Sequence, residues 1–326
     1  MHREEICACL VEAARAVGNS PSHGDSLLRL LTVALQTVTR RDFPAMLTIW
    51  AAQAAGQPSS LTMDSAAAWL GMYVAAKLLD DLQDGDYSFV GEDISPSVAT
   101  NLALVLIFAA QKCLVGNENM GDAARRVQLL EVISDASLRM IAGQQACLQL
   151  NLEGDPLRTS WAVARAKGGI PFSVACRMGA MSVGADGQVV DALGQYGEHI
   201  GEAIQAIDDA NGILAQEVAD LSSPSGSLAL AYALAVAEGE DRETLQELMS
   251  QHRAGESGAA EQIWALLESM GCLRYLSVEA TVRVARARKI LTDLGSRLRP
   301  EGVISLLELA NWLDPTATGV VPRETD

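Results

Sequence analysis

Lys77-Leu78-Leu79-Asp80-Asp81-Leu82-Gln83-Asp84 closes an apolar run that begins near Met63. Three carboxylates stand at i, i+1 and i+4. On a helix, Asp80 and Asp84 lie about 40° apart and Asp81 lies about 60° from Asp84. All three then point from one edge of a buried helix toward one place. Like charges so gathered repel, and desolvation adds to the penalty. A hard divalent cation relieves both, and Mg2+ favours a few carboxylate oxygens together with waters and substrate phosphates. The stretch therefore reads as a site that holds Mg2+ against a phosphorylated substrate. The other reading of the same spacing is a solvated, acidic helix end.

The rest of the composition fits a helical chain. Hydrophobic residues make up 49% of the 326 residues but aromatics only 4%, so the β-branched and aromatic clusters that strands need are scarce. Ala, Leu, Glu, Gln and Arg abound. The net charge is −17 with no basic stripe, which excludes a nucleic-acid partner and disfavours an anionic membrane surface. The six cysteines are scattered and form no zinc pattern. Several sit in apolar runs, as reduced thiols of a cytoplasmic protein do. The N-terminus shows no signal peptide. The apolar runs at Leu102 to Ala110 and Leu228 to Ala237 are too short for a transmembrane segment.

Turn signals divide the chain into about a dozen helices. Gly18-Asn19-Ser20-Pro21, Gly56-Gln57-Pro58 and Gly154-Asp155-Pro156 are breaks. Asp42 is expected to cap a helix opened by Pro44. One uninterrupted helix is expected from Pro156 to Val183 and another from Gln188 to Ala215. The loop after Asp84 and the polar loop from Asp220 to Gly226 are natural substrate-binding segments. No linker separates two domains. The reading is an all-α fold, a single large bundle over residues 1–313 around a central cavity, with a frayed tail over residues 314–326.

A second acidic site lies on the helix from Gln188. Gln205, Asp208 and Asp209 stand at i, i+3 and i+4, hence on one face, with Ile204 and Ile207 continuing the apolar pattern. Two Asp-Asp pairs, each ending an apolar helical run and each followed by a polar loop, point to two helices facing one cavity.

These motifs resemble the trans-isoprenyl diphosphate synthases, the polyprenyl synthetase family. Asp80-Asp81-Leu82-Gln83-Asp84 is similar to the family's first DDxxD, and Gln205-Ala206-Ile207-Asp208-Asp209 to its second. Gly143-Gln144 resembles the GQxxD segment, with Cys147 where Asp is common. Ala166-Lys167-Gly168-Gly169 resembles the KT segment, with Gly168 in place of Thr. Arg40-Arg41-Asp42-Phe43-Pro44 loosely resembles GKRxRP. The resemblance implies a Mg-dependent prenyltransferase that binds three Mg2+ ions through Asp80, Asp81, Asp84, Asp208 and Asp209. It implies that Lys167, Arg40 and Arg41 contact the diphosphate and that Gln144 and Gln205 are polar wall groups. It also implies a homodimer. Ala75 and Ala76 take the places where bulk closes the family's product tunnel, so long prenyl chains would fit, with Met72 or Trp69 as a floor.

The departures concern the second substrate. Phe89-Val90-Gly91 replaces the Arg-Arg-Gly after the first motif, Tyr73 replaces a histidine of the isopentenyl diphosphate site, Phe43 replaces the second Arg of GKRxRP, and Gly212 replaces the last Asp of the second motif. An apolar residue cannot replace an arginine fork on a phosphate. An allylic prenyl diphosphate is thus the expected substrate and isopentenyl diphosphate a doubtful one. Three outcomes stay open: chain elongation, an enzyme that uses only the allylic diphosphate (a peptide prenyltransferase or a terpene-cyclase-like relative), and a non-catalytic partner subunit. Lys77, odd in its apolar run, either reaches solvent or neutralises part of the cluster.

Overall fold

The computed structural model describes residues 2–15, 24–38, 42–84, 95–115, 123–148, 154–216 and 227–318. Arg40, Arg41, Phe89, Val90 and the two polar loops lie outside the described residues. All described regular structure is helical, as the composition demands.

In chain order the helices are α1 (His2–Ala14), α2 (Gly24–Val38), α3 (Asp42–Ala55), α4 (Ser60–Asp84), α5 (Pro96–Val115), α6 (Ala123–Leu148), α7 (Pro156–Ala164), α8 (Ile170–Ser182) and α9 (Gly187–Ala215). There follow α10 (Leu228–Val236), α11 (Gly239–Arg253), α12 (Ala259–Ser269), α13 (Cys272–Leu294), α14 (Pro300–Trp312) and the short α15 (Pro315–Thr318). The contacts divide the chain into two compact units. The first comprises Met1–Leu138, Phe172–Gln195 and Ile290–Leu307; the second comprises Arg139–Pro171, Tyr196–Lys289 and Glu308–Asp326.

In the first unit α4 packs along α5 and α3, and α1 lies on both α4 and α5. Gly71 makes this possible, because a Cβ there would stand 2.8 Å from Leu10 Cδ2 and 3.1 Å from Ala110 Cβ. The start of α4 is fixed by a buried hydroxyl chain. The Ser59 N–H donates to Thr62 Oγ1 at 3.1 Å, the Thr62 hydroxyl lies 2.8 Å from Ser182 Oγ, and Ser182 donates to the Gly179 carbonyl at 2.7 Å. Arg126 closes the end of α5, donating to the Leu114 carbonyl at 3.0 Å while pairing with Asp64 at 2.7 Å.

The second unit is tied by aromatic and ionic contacts. α7 packs on α10. Trp161 Nε1–H donates to the Tyr275 hydroxyl at 2.8 Å, Tyr275 stacks on Tyr232 at 4.1 Å, and the Arg283 guanidinium covers the Trp161 ring at 3.3 Å.

Several elements differ from the sequence expectation. Asp42 is the first residue of α3 and not a residue outside it. The helix expected from Pro156 to Val183 is interrupted by a π-helical turn, Arg165–Gly169. The tail does not begin at Asp314: this residue is 4% exposed, accepts from the Thr316 backbone N–H and hydroxyl, and pairs with Arg288 at 2.6 Å to start α15. The apolar run at Leu102 to Ala110 belongs to a longer helix, α5. Among the described residues this one helix is long and apolar enough to cross a membrane, with a mean hydropathy of 1.8. Its inner face, from Ala99 to Leu114, is buried, and α4 and α1 pack on it.

Candidate functional site

The first cluster ends α4, an Ala- and Leu-rich helix without a β-branched run. Val74, Ala75 and Leu78 are buried, whereas Met72, Tyr73, Ala76, Leu79 and Asp80 are half-buried and Lys77 is exposed. The open face of α4 therefore carries Tyr73, Ala76 and Asp80. The two alanines proposed to line a tunnel part company here: Ala76 is on the open face and Ala75 is in the core.

Asp81 is 9% exposed, and its carboxylate accepts from Lys77 Nζ at 3.2 Å. Lys77 thus neutralises part of the cluster while its side chain stays 46% exposed. Asp80 Oδ1 and Asp81 Oδ2 are both buried atoms. Carboxylate oxygens are hard donors of the kind Mg2+ accepts. Among the described residues, no three His, Cys, Asp or Glu side chains converge tightly enough to form a cage on their own.

Behind Asp80 lies an aromatic cluster in the same unit. Trp69 and Tyr73 stack at 5.1 Å with 12° between their planes. Phe172 meets both edge-on, at 6.2 Å and 5.9 Å, and lies 6.1 Å from Phe43. Trp69 and Phe172 are each 2% exposed, while Tyr73 and Phe43 are half-buried. The sequence singles out Tyr73 as the replacement of a family histidine and Trp69 as a possible tunnel floor; the arrival of Phe43 and Phe172 from other helices has no local signal.

The second cluster, in the other unit, is organised by small residues. A Cβ on Gly201 of α9 would stand 2.1 Å from the Gly168 carbonyl oxygen, and one on Gly168 would stand 2.6 Å from Gln205 Cγ. A Cβ on Gly143 of α6 would stand 2.1 Å from Ala166 Cβ. The π turn that carries Lys167 is therefore seated on α9 beside Gln205 and against α6 one residue from Gln144. Gln144, Lys167, Gln205 and Asp208 are all half-buried. No side chain larger than glycine fits at residue 168 without displacing α9, which accounts for the missing threonine. Asp209 has a structural task as well: one of its carboxylate oxygens accepts the Leu228 N–H at the start of α10.

A second layer, unsuspected from the sequence, holds the π turn. Arg165 pairs with Glu198 at 2.5 Å, and Arg283 donates to Glu202 at 3.0 Å and to Glu279. His199 lies 3.7 Å from Glu202. Burial alone would raise the Glu202 carboxyl, but the neighbouring His199 imidazole and the Arg283 charge outweigh it and hold it below the ordinary value. Asp84 lies in the last turn of α4.

Residues 41–267 match the sequence profile of the polyprenyl synthetase family. The chain is 26% identical over 195 residues to (2E,6E)-farnesyl diphosphate synthase of Mycobacterium bovis, and equally to that of Mycobacterium tuberculosis. That match covers 56% of this chain and 54% of the relative, so the chain spans about half the length of the curated relatives it matches. The fold resembles a polyprenyl synthetase from Streptomyces coelicolor A3(2), with a TM-score of 0.76 at 23% identity, covering 96% of this chain and 97% of that one. It also resembles a decaprenyl diphosphate synthase from Rhodobacter capsulatus, with a TM-score of 0.78 at 21% identity over 96% and 97% of the chains. A polyprenyl synthase from Caulobacter crescentus CB15, complexed with calcium and isoprenyl diphosphate, gives a TM-score of 0.77 at 20% identity over 95% and 93%. The profile spans both aspartate clusters, the π turn and the helices that carry them, and the chain belongs to the polyprenyl synthetase family.

Proposed function

We propose that the protein is a Mg-dependent trans-prenyltransferase that ionises an allylic prenyl diphosphate and releases pyrophosphate. The observation that carries this reading is the pairing of buried carboxylate oxygens on Asp80 and Asp81 with an open, uncharged helix face directly behind them. A diphosphate with its metal ions belongs at the first and a hydrocarbon chain at the second. Asp80, Asp81 and Asp84 would hold Mg2+ at one cluster and Asp208 with the remaining oxygen of Asp209 at the other, three ions in all. Bound there, Mg2+ supplies the charge that stabilises the leaving pyrophosphate. By the family resemblance, Lys167 would offer a direct cation to a diphosphate, with its π turn seated on α9. Arg40 and Arg41 add positive charge, and Gln144 and Gln205 orient phosphate oxygens by hydrogen bonds. The apolar walls near Ala76 exclude water from the allylic cation.

The calcium and isoprenyl diphosphate bound by the Caulobacter protein support this chemistry for a related fold. The proposal includes a cytoplasmic homodimer built on residues 1–313. It takes isopentenyl diphosphate to be a poor second substrate.

Pyrophosphate release from geranyl and farnesyl diphosphate, measured with Mg2+ and with EDTA, tests the reading. Metal-dependent release lost in Asp80→Asn supports it. No release from any allylic diphosphate, with or without isopentenyl diphosphate, overturns it.

A further inference from the structure

We propose that Phe43, Trp69, Tyr73 and Phe172 form the subsite in which the allylic cation meets a neutral π-nucleophile, an alkene or an arene carrying no phosphate. The inference deepens the proposed function and rests on the ionisation it assigns to Asp80 and its neighbours.

Three observations carry it. The first is phase. Trp69 and Tyr73 precede Asp80 by eleven and seven residues, so both project within about 20° of its direction, roughly 16 Å and 10 Å down the helix. An acceptor lying on those rings, or the chain's own alkene folded back onto them, faces up the same side of the helix toward Asp80, where the carbon next to the diphosphate ionises. The second is concentration. The chain has only four Phe, five Trp and five Tyr, yet two of the Phe converge here with one Trp and one Tyr from α3, α4 and α8. Tyr73 and Phe43 keep part of their surface open, while the buried Trp69 closes the far end.

The third is charge. Residues 69, 72, 73, 76, 79 and 80 of this face include no Lys, Arg or His, and the nearby Lys77 is paired with Asp81. An aromatic ring presents a negative face, which attracts a cation and offers nothing to an anion. A second diphosphate would have to leave water for rings of the wrong polarity, whereas a delocalised carbocation gains from them.

The step balances without a further reagent. The allylic C–O bond breaks and its electron pair leaves with pyrophosphate. The π pair of the neutral nucleophile attacks the cation and forms one C–C bond. The proton then lost from the adduct passes to the released pyrophosphate. The nucleophile is either a double bond of the same prenyl chain or a separate neutral molecule.

The protein is incubated with Mg2+ and farnesyl diphosphate alone, with added indole as a neutral arene, and with added isopentenyl diphosphate. A C15 hydrocarbon from farnesyl diphosphate alone supports the proposal with the chain's own alkene as nucleophile; farnesylated indole supports it with a separate one. Farnesol as the sole product, or turnover only with isopentenyl diphosphate to give a longer diphosphate, overturns the proposal while leaving ionisation intact. No pyrophosphate in any arm overturns the ionisation itself, and the proposal with it. A second readout needs no turnover: farnesyl-dimethylammonium, a cation mimic without phosphate, is titrated calorimetrically. Tyr73→Leu is expected to weaken its binding roughly 10-fold and to lower the ratio of C–C-coupled product to pyrophosphate. Phe43→Leu, on a different helix, is expected to do the same in smaller measure. Unchanged binding and unchanged ratio in both variants overturn the assignment.

Discussion

Gly168 and Gly201 touch backbone to backbone: a Cβ on Gly201 would lie 2.1 Å from the Gly168 carbonyl oxygen. The contact sets how deeply the π turn carrying Lys167 sits on α9. Gly201→Ala is therefore expected to cost about 1–3 kcal/mol, the usual range for overpacking, seen as a lower midpoint in urea. Gly168→Thr, which restores the residue common in the family, is expected to be worse, because it also meets Gln205. A Gly168→Thr variant as stable as the parent would show that α9 yields freely.

Lys77 and Asp81 form an ion pair at 3.2 Å in which the lysine is 46% exposed. Its contribution to stability is small, within about 1 kcal/mol. Its effect on metal binding is larger, since a divalent cation must compete with the ammonium for Asp81. Lys77→Met is expected to leave thermal unfolding nearly unchanged and to shift the Mg2+ dependence of pyrophosphate release to lower concentration by several-fold. A shift to higher concentration would mean that Lys77 assists the diphosphate.

Arg283 is the hub of the second unit, with Glu202, Glu279 and the Trp161 ring about it. Arg283→Met leaves two carboxylates without their cation, and breaking a buried pair in this way costs about 3–5 kcal/mol. Chemical denaturation measures it. The double variant with Glu202→Gln is expected to recover part of the loss.

The pH dependence of that unit follows from Glu202, whose folded-state value lies below its ordinary 4.5. A carboxyl lowered by folding contributes stability that is complete above the unfolded value and is lost as pH falls through the folded one. Stability is expected to be flat in this respect above about pH 5.5 and to decline below 4.5. Glu202→Gln flattens that decline in a pH series of thermal midpoints.

Thiol labelling is expected to be graded. Burial pushes Cys113 and Cys272 up to about 12 and raises Cys176 as well, while Cys7 on α1 is only half-buried. Near pH 8, an aromatic disulfide reagent is expected to modify Cys7 first and the buried thiols only after denaturant is added. Rapid modification of Cys176 in native protein would contradict its placement.

Much of the first cluster was legible because one helix carries it. Asp80 and Asp81 share an element with Tyr73 and Trp69, and a constant 100° per residue relates them. The same arithmetic places Gln205, Asp208 and Asp209. What escaped the sequence arises between elements. A π turn at Arg165–Gly169 is a single extra residue in a helix of ordinary propensity, with no compositional mark. The Gly168–Gly201 approach, the Arg283–Glu202 pair and the arrival of Phe172 beside Tyr73 join residues 33 to 99 positions apart. The small side chains at 143, 168 and 201 are visible as letters, but what they make room for is not. Asp314 illustrates the point at the chain's end: its surroundings look like a frayed tail until Arg288 is seen to hold it.

The helix α4 also behaves as an indexed shaft. Its amino end is locked to α8 through Thr62 and Ser182, and its carboxyl end delivers the aspartates 18 residues later. Any insertion or deletion between these points turns the carboxylates by about 100° per residue away from the aromatic face. Only steps near seven or eleven residues bring them back into phase. The depth of the hydrocarbon site can therefore change by exchanging side chains along α4, at Ala76, Tyr73 or Trp69, but not by lengthening or shortening the helix. Variation in product length among proteins built on such a shaft must be written in substitutions.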